Sequence, residues 1–330
     1  MLRTHMIHFW FFLTLLYLSG ASVWQVAAQS SDKLGIHILH PDELTAANAL
    51  LDANTTTESW HYVTIPFTYA DLEKPAEWRL FFSKARQLHI IPIIRLATKH
   101  EGDAWVQPDK KHIVEQLDFL SAQTWPTQEK RIIVYNEVNH AKEWGGQIEP
   151  QGYADTLEFV SNWAHTQPGD PFKVLPAAMD LAAGNTRDTK EAFAYLNAMV
   201  AHNPQIFDFV DAWNSHSYPN PGFAASPQRT GQNSISGFRH ELAFLEKLSD
   251  RVWQVYITET GWSVTKSLAK WLPSYYQYAI DHVWSDPEVV AVTPFVLRGA
   301  PGPFEAFSFL DADGQPTAQY RAMFDQLSPI

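Results

Sequence analysis

The feature that most constrains this chain is a hydrophobic periodicity that switches back and forth. From Leu34 onward, short apolar, β-branched runs bounded by turn residues alternate with longer segments whose apolar residues recur at helical spacing. Such alternation builds βα units and a parallel sheet. Strands are expected at 34–39, 61–66, 90–96, 131–135, 173–178, 207–214, 252–258 and 289–296. Helices are expected at 41–53, 75–88, 110–123, 152–165, 190–202, 236–248, 267–282 and 318–327. Eight strands alternating with eight helices fit an α/β fold of the (β/α)8 TIM-barrel type, one domain over residues 29–330. A doubly wound open sheet is the rival. It would carry a Gly-rich phosphate turn after its first strand, where this chain reads Leu39-His40-Pro41-Asp42-Glu43.

Composition removes several partner classes. A formal net charge of -12 repels phosphate backbones, so nucleic acid is excluded as a partner. The chain has no cysteine, which excludes disulfides, thiolate nucleophiles and cysteine-based zinc sites. His37-x-x-His40 has no third ligand at motif spacing, so no metal is expected. Residues 1–28 have the form of a secretory signal: Arg3, an apolar run over 7–24, then Val26-Ala27-Ala28 before polar residues. The protein is therefore expected to be secreted or periplasmic and free of the membrane after cleavage near Ala28. The same apolar run is long enough to serve instead as an uncleaved membrane anchor.

Two glutamates stand where apolar strands end. The fourth strand runs into Tyr135-Asn136-Glu137-Val138-Asn139. The seventh runs into Ile257-Thr258-Glu259-Thr260-Gly261-Trp262. A carboxylate at such a position is costly unless it is paired or functional. In a barrel, both would face the C-terminal side, where active sites are built. Glycoside cleavage needs such a pair: one carboxylic acid protonates the leaving oxygen, and the other attacks the anomeric carbon or activates water. Asn136, immediately before Glu137, is placed to hold a sugar 2-hydroxyl. Trp144 and Trp262 lie within a few residues of a glutamate and are candidate sugar-stacking walls or core packing. Trp105, after the third strand, is a further candidate. His37 lines the cleft floor or is a satisfied core histidine. This chemistry requires no cofactor.

These residues resemble the retaining glycoside hydrolases of clan A, cellulase-like barrels of the family 5 or family 39 kind. The two glutamate motifs on strands four and seven carry the resemblance, and the βα order extends it over nearly all of the chain beyond the signal. The resemblance implies Glu137 as acid/base, Glu259 as nucleophile, and carboxylates ~5–5.5 Å apart. It implies that Arg95, ending strand three, keeps the nucleophile ionised; a structural ion pair is the other reading of that arginine. It also implies that His216, in His216-Ser217-Tyr218, contacts substrate while Tyr218 hydrogen-bonds the nucleophile. Two positions depart from the clan's pattern. Val138 stands where many members have proline, and Phe295 stands where strand eight commonly ends in tryptophan beneath the cleaved sugar.

The expectation is thus a monomeric, exported glycosidase of carbohydrate metabolism that cleaves β-linked oligo- or polysaccharides by double displacement. Transglycosylation on the same residues and a non-catalytic carbohydrate-binding barrel are the alternatives.

Overall fold

The structure, a computed structural model, describes residues 33–52 and 59–324. The expected signal segment, residues 1–28, lies outside the described residues. Among the described residues no helix is long and apolar enough to cross a membrane.

Eight parallel strands form the barrel: β1 (Gly35–His37), β2 (His61–Phe67), β3 (Ile90–Leu96), β4 (Lys130–Val134), β5 (Phe172–Pro176), β6 (Trp213–His216), β7 (Val255–Glu259) and β8 (Val289–Val292). Neighbours pair in register from β1 to β5 and from β6 to β8. Two short seams close the ring. Parallel bridges join Leu34 to Val292 and Asp180 to His216. Eight helices alternate with the strands among the described residues: α1 (Leu44–Asp52), α2 (Pro75–Gln87), α3 (Lys110–Ser121), α4 (Pro150–His165), α5 (Ala192–His202), α6 (Gly237–Leu245), α7 (Leu272–His282) and α8 (Ala318–Phe324). The expected TIM barrel is the fold observed.

Local chemistry explains the element ends. Pro75 and Pro150 open α2 and α4, where a missing N–H costs nothing. Asp109 caps α3 by accepting from the His112 backbone N–H at 3.1 Å. On α4, the buried Tyr153, Ala154, Leu157, Val160, Ser161 and Ala164 form one face at helical spacing, turned to the barrel.

Strand alternation divides the core in two. Ile90, Ile94 and Leu96 of β3 join the layer between strands and helices. Ile93 belongs with Ile133, Leu175, Ala212, Tyr256 and Ala291 in a separate cluster that fills the lumen. Arg95 is two residues beyond Ile93 and therefore enters the top of that lumen. The same rule places His37, Asn214 and His216 inward. Gly35 is required where β1 crowds β2, because a Cβ there would lie 2.0 Å from the Tyr62 carbonyl oxygen.

One element lies elsewhere than expected. The apolar run at 207–214 does not form strand six. Ile206–Phe209 is a 3-10 turn, and the strand is the polar Trp213-Asn214-Ser215-His216. Its polar side chains are satisfied inside the wall. Asn214 donates to the Pro176 carbonyl at 3.1 Å and accepts from Thr258 Oγ1 at 2.6 Å, and Ser215 donates to Glu241 on α6.

Candidate active site

β7 ends in a bulge. Ser215 pairs with Ile257, but His216 pairs with Glu259, so one extra residue enters β7. Plain alternation from the lumen-facing Tyr256 would send Glu259 out toward the helices. The bulge instead turns it over the lumen, a common way for a sheet edge to re-aim a functional side chain. β4 ends differently. Tyr135 and Glu137 both take positive φ, +70° and +26°, in a tight turn that lifts Glu137 above the strand end.

The two carboxylates meet across His216. One oxygen of each and a ring nitrogen of His216 all lie within 4.8 Å of one another. His216 Nδ1 is 2.9 Å from Glu137 Oε1 and 3.8 Å from Glu259 Oε2. The surroundings of the two glutamates differ. Glu259 is 8 % exposed. Arg95 Nη1 donates to its Oε1 at 2.5 Å, Tyr218 Oη donates to its Oε2 at 3.1 Å, and His37 Nε2 lies 3.6 Å from Oε1. Burial alone would raise its pKa. The charges of His216 and Arg95 override that and hold the carboxyl at about 2. Glu137 is more open, with 19 % of its side chain exposed.

The histidines divide by charge. Burial is the largest influence on His37 and lowers its pKa to about 3, so it stays neutral. Burial also acts to lower His216, but Glu259 and the hydrogen bond to Glu137 outweigh it, and its pKa is raised. Burial and the two glutamates push the Tyr218 phenol well above its usual range, so that hydroxyl keeps its proton and donates.

Glu137, His216 and Glu259 have the donor types of a metal site. Their lone pairs are committed, however, to a histidine N–H, a phenol and a guanidinium, and the Arg95 charge opposes a cation at Glu259. The arrangement suits a paired-carboxylate centre better. His40 is exposed, whereas His37 is buried, so the two do not form a ligand pair.

Arg95, Asn136, Glu137, His216, Tyr218, Glu259 and His37 therefore converge on one site. Phe295 borders it, edge-on to His37 at 5.1 Å between ring centres. Two positions depart in detail from expectation. His216 is almost wholly buried and bonds Glu137 rather than lying open to a ligand. Asn136 Oδ1 is occupied by Arg95 at 2.6 Å, which leaves only its amide N–H groups for a sugar.

Two residues do not join the site. Trp144 is buried edge-on between Tyr135 and Tyr153, beneath the α4 side of the barrel. Trp262 is fully buried against Tyr276 and Trp284, its indole N–H donating to the Ala225 carbonyl at 2.9 Å. Both are core residues rather than cleft walls. Trp105 is half-buried on a short hairpin (His100–Glu101 with Ala104–Trp105), tied to the β4 loop by Gly145 N–H donating to the Trp105 carbonyl.

The sequence reading missed the aromatic residues that pack on the rings of the site. Phe223 packs 5.0 Å from Tyr218, Phe307 lies 5.3 Å from Phe223, and Phe304 lies 5.0 Å from Phe295. Phe223 and Phe304 are 37 % and 43 % exposed. They lie in loops after β6 and β8 and are remote in sequence from either glutamate. Their only advance signal was the length of those loops.

No family model and no curated protein matches this sequence. Solved structures match it in fold. The catalytic domain of an endo-β-1,4-mannanase from Bacillus sp. JAMB-750 aligns with a TM-score of 0.59 at 14 % identity, over 91 % of this chain and 87 % of that one. An endo-β-1,4-glucanase from Xanthomonas axonopodis pv. citri, carrying three substitutions, aligns at 0.55 and 11 %, over 89 % and 98 %. An exo-β-1,4-mannosidase from Opitutaceae bacterium strain TAV5 aligns at 0.56 and 12 %, over 89 % and 59 %. At such identities the likeness establishes the fold alone, a (β/α)8 barrel.

Proposed function

We propose that this barrel is an exported glycoside hydrolase that cleaves β-linked glycosides with retention of anomeric configuration. The observation that carries the reading is the paired carboxylates, close together but in opposed environments. Their separation of at most 4.8 Å between nearest oxygens suits direct attack by one on the sugar. That proximity favours the short, retaining arrangement over the ~6.5–9.5 Å between carboxyl groups that an inverting pair uses to admit water.

Glu259, held ionised by Arg95 and His216, attacks the anomeric carbon. The bond to the leaving oxygen breaks, and Glu137 donates its proton to that oxygen. The product of this step is a glycosyl ester on Glu259. Water then attacks the same carbon while Glu137 takes its proton, and the ester bond breaks to restore both groups. Tyr218 Oη and Arg95 fix the Glu259 carboxylate between the two steps. The free N–H of Asn136 is placed for the 2-hydroxyl, where charge develops at the transition state.

Oligosaccharides are the proposed substrate class. One structurally similar chain is known in complex with cellopentaose, and the exposed phenylalanines offer apolar faces to sugar rings. None of the rings carries a charge, which favours neutral sugars.

A panel of β-linked oligosaccharides and aryl β-glycosides tests the reading, with product anomers followed by proton NMR. The β-anomer should form first. Initial formation of the α-anomer would overturn the mechanism. Glu259→Gln should lose at least ~10³-fold in kcat while still binding ligand. Turnover at wild-type rates by that variant would overturn the assignment of Glu259. High acceptor-sugar concentration in the same assay separates hydrolysis from transglycosylation.

A further inference from the structure

A second histidine–carboxylate pair flanks the turn that carries Glu137, and the two-step reaction leaves it unused. His140 Nε2 lies 2.9 Å from Asp180 Oδ2; a carboxylate only accepts, so the ring N–H donates. The other Asp180 oxygen accepts from the Ala182 backbone N–H at 2.8 Å, which fixes the orientation of the carboxylate. The two side chains are 19 % and 29 % exposed, so the contact is partly shielded from solvent.

The pair lies at a seam of the barrel. β5 and β6 share no strand ladder, and beside the site the parallel bridge between Asp180 and His216 joins them. Asp180 therefore holds both histidines that flank Glu137, His216 through the backbone and His140 through the side chain. His216 Nδ1 in turn meets Glu137 Oε1 at 2.9 Å, and His140 N–H donates to the Glu137 carbonyl at 2.8 Å. The contacts close a ring that runs from the Glu137 carboxyl through His216, Asp180 and His140 back to the Glu137 carbonyl.

The turn after β4 needs such support. Tyr135 and Glu137 hold positive φ although both carry full side chains, a conformation that persists only where its surroundings enforce it. The buried Asn139 supplies one anchor: its Nδ2 donates to the Asp180 and Lys190 carbonyls at 3.0 Å each, and its Oδ1 accepts from Asp180 N–H at 3.1 Å. One anchoring residue is a pivot. The His140–Asp180 contact, one residue further along, resists rotation of the turn about that pivot.

We infer that the His140–Asp180 pair is a positioning device for Glu137: it locks the turn after β4 against the β5–β6 seam and so holds the Glu137 carboxyl on His216, facing Glu259. The inference rests on the glycosidase reading of Glu137 and Glu259. Neither His140 nor Asp180 touches the reacting atoms in it.

A displaced acid/base group has a kinetic signature that general loosening lacks. A sugar leaving group departs with a proton from Glu137, whereas 2,4-dinitrophenolate departs without one. His140→Ala should lower kcat/KM on oligosaccharides ~10²-fold, the scale of a misplacement of about 1 Å, but on 2,4-dinitrophenyl β-glycosides by no more than about 3-fold. With the aryl substrate kcat should fall, because water attacks the Glu259 ester without an aligned base. Azide needs no base: it should attack the anomeric carbon, release the Glu259 carboxylate as a glycosyl azide forms, and restore kcat. His140→Gln keeps an N–H donor for Asp180 and should recover ~10-fold of the oligosaccharide loss. Equal losses on the two substrate classes, or no loss on either, overturn the inference. If His140→Ala fails to melt cooperatively, the isosteric Asp180→Asn takes its place, with the same split expected. If wild type cleaves no glycoside in the panel, the functional reading has failed instead. Crystal structures of wild type and variant then test the positional claim: Glu137 Oε1 should leave His216 Nδ1, and an unchanged contact of 2.9 Å overturns it.

Discussion

Arg95 Nη1 donates to both Glu259 Oε1 and Asn136 Oδ1, so a single guanidinium sets the charge of one residue and the orientation of another. Arg95→Met should therefore do two things. It should lower kcat by ~10²-fold or more through loss of nucleophile ionisation and position. It should also cost stability, because removing one member of a buried pair leaves the other uncompensated, an effect of ~3–5 kcal/mol before Glu259 relieves it by taking up a proton. Urea unfolding and kcat measured on the same preparation check both effects. The residues around Arg95 also set how the fold responds to acid. His37 and Glu259 both have folded pKa values below their unfolded ones, about 3 and about 2. For His37 the contribution is complete above pH ~6.5 and is lost as pH falls toward 3; for Glu259 it is lost from pH ~4.5 down toward 2. His216, raised, has the opposite sense: its contribution is present below pH ~6.5 and is lost as pH rises through its folded value. Unfolding free energy should therefore fall with decreasing pH from about 6 to 4. His37→Gln should reduce that slope by up to about one proton's worth, ~1.4 kcal/mol per pH unit. An unchanged slope would show that His37 is not buried as the neutral form.

At the scale of elements, α4 ties two strands together through one hydroxyl. Tyr153 Oη donates to the Val134 carbonyl at 3.0 Å and accepts from the Ala177 N–H at 2.6 Å, all three groups buried. Tyr153→Phe keeps the ring packing but strands a buried donor and acceptor at the ends of β4 and β5. The expected cost is ~1–3 kcal/mol by denaturant unfolding, with a loss in kcat as the Glu137 turn loosens. Stability equal to wild type would mean that water replaces the hydroxyl there. Elements of this kind were legible in the sequence wherever burial and pattern agreed. Ile90–Leu96 was read with its bounds correct because a strand buried on both faces is a continuous apolar run. Strand six was misplaced for the converse reason. Asn214, Ser215 and His216 are buried polar residues whose partners, Pro176, Thr258, Glu241 and Glu137, are distant in sequence. Nothing local distinguishes them from a loop, whereas the apolar 207–210 stretch imitates a strand. The site followed the same division. The glutamates, Arg95 and the His216–Tyr218 pair were legible because they sit at strand ends. Trp144 and Trp262, read as walls or as packing, prove to be packing, because proximity in sequence to a glutamate does not determine which way a ring turns.

The whole molecule creates what no single element holds. The loop after β6 carries Phe223 and the loop after β8 carries Phe304 and Phe307; they become neighbours only when the barrel closes. Ring contacts then run without interruption from the site to solvent. Tyr218, on Glu259, meets Phe223 and Phe307, and Phe295, on His37, meets Phe304 and Phe307. Core aromatics such as Trp262 lie on the far side of the β7 loop, fully buried, and should behave oppositely under mutation. Truncating an exposed ring forfeits a contact with substrate but little folding energy. Phe304→Ala should raise KM about 10-fold on oligosaccharides, a loss of ~1.4 kcal/mol, with unfolding free energy within ~0.5 kcal/mol of wild type. Trp262→Ala should instead cost ~3–5 kcal/mol of stability. Phe304→Trp should restore or improve KM, since a larger ring offers more apolar face to a sugar. Equal KM for wild type and Phe304→Ala on every chain length tested would place the substrate path elsewhere, along the Trp105 hairpin on the opposite, β3–β4 side of the barrel mouth.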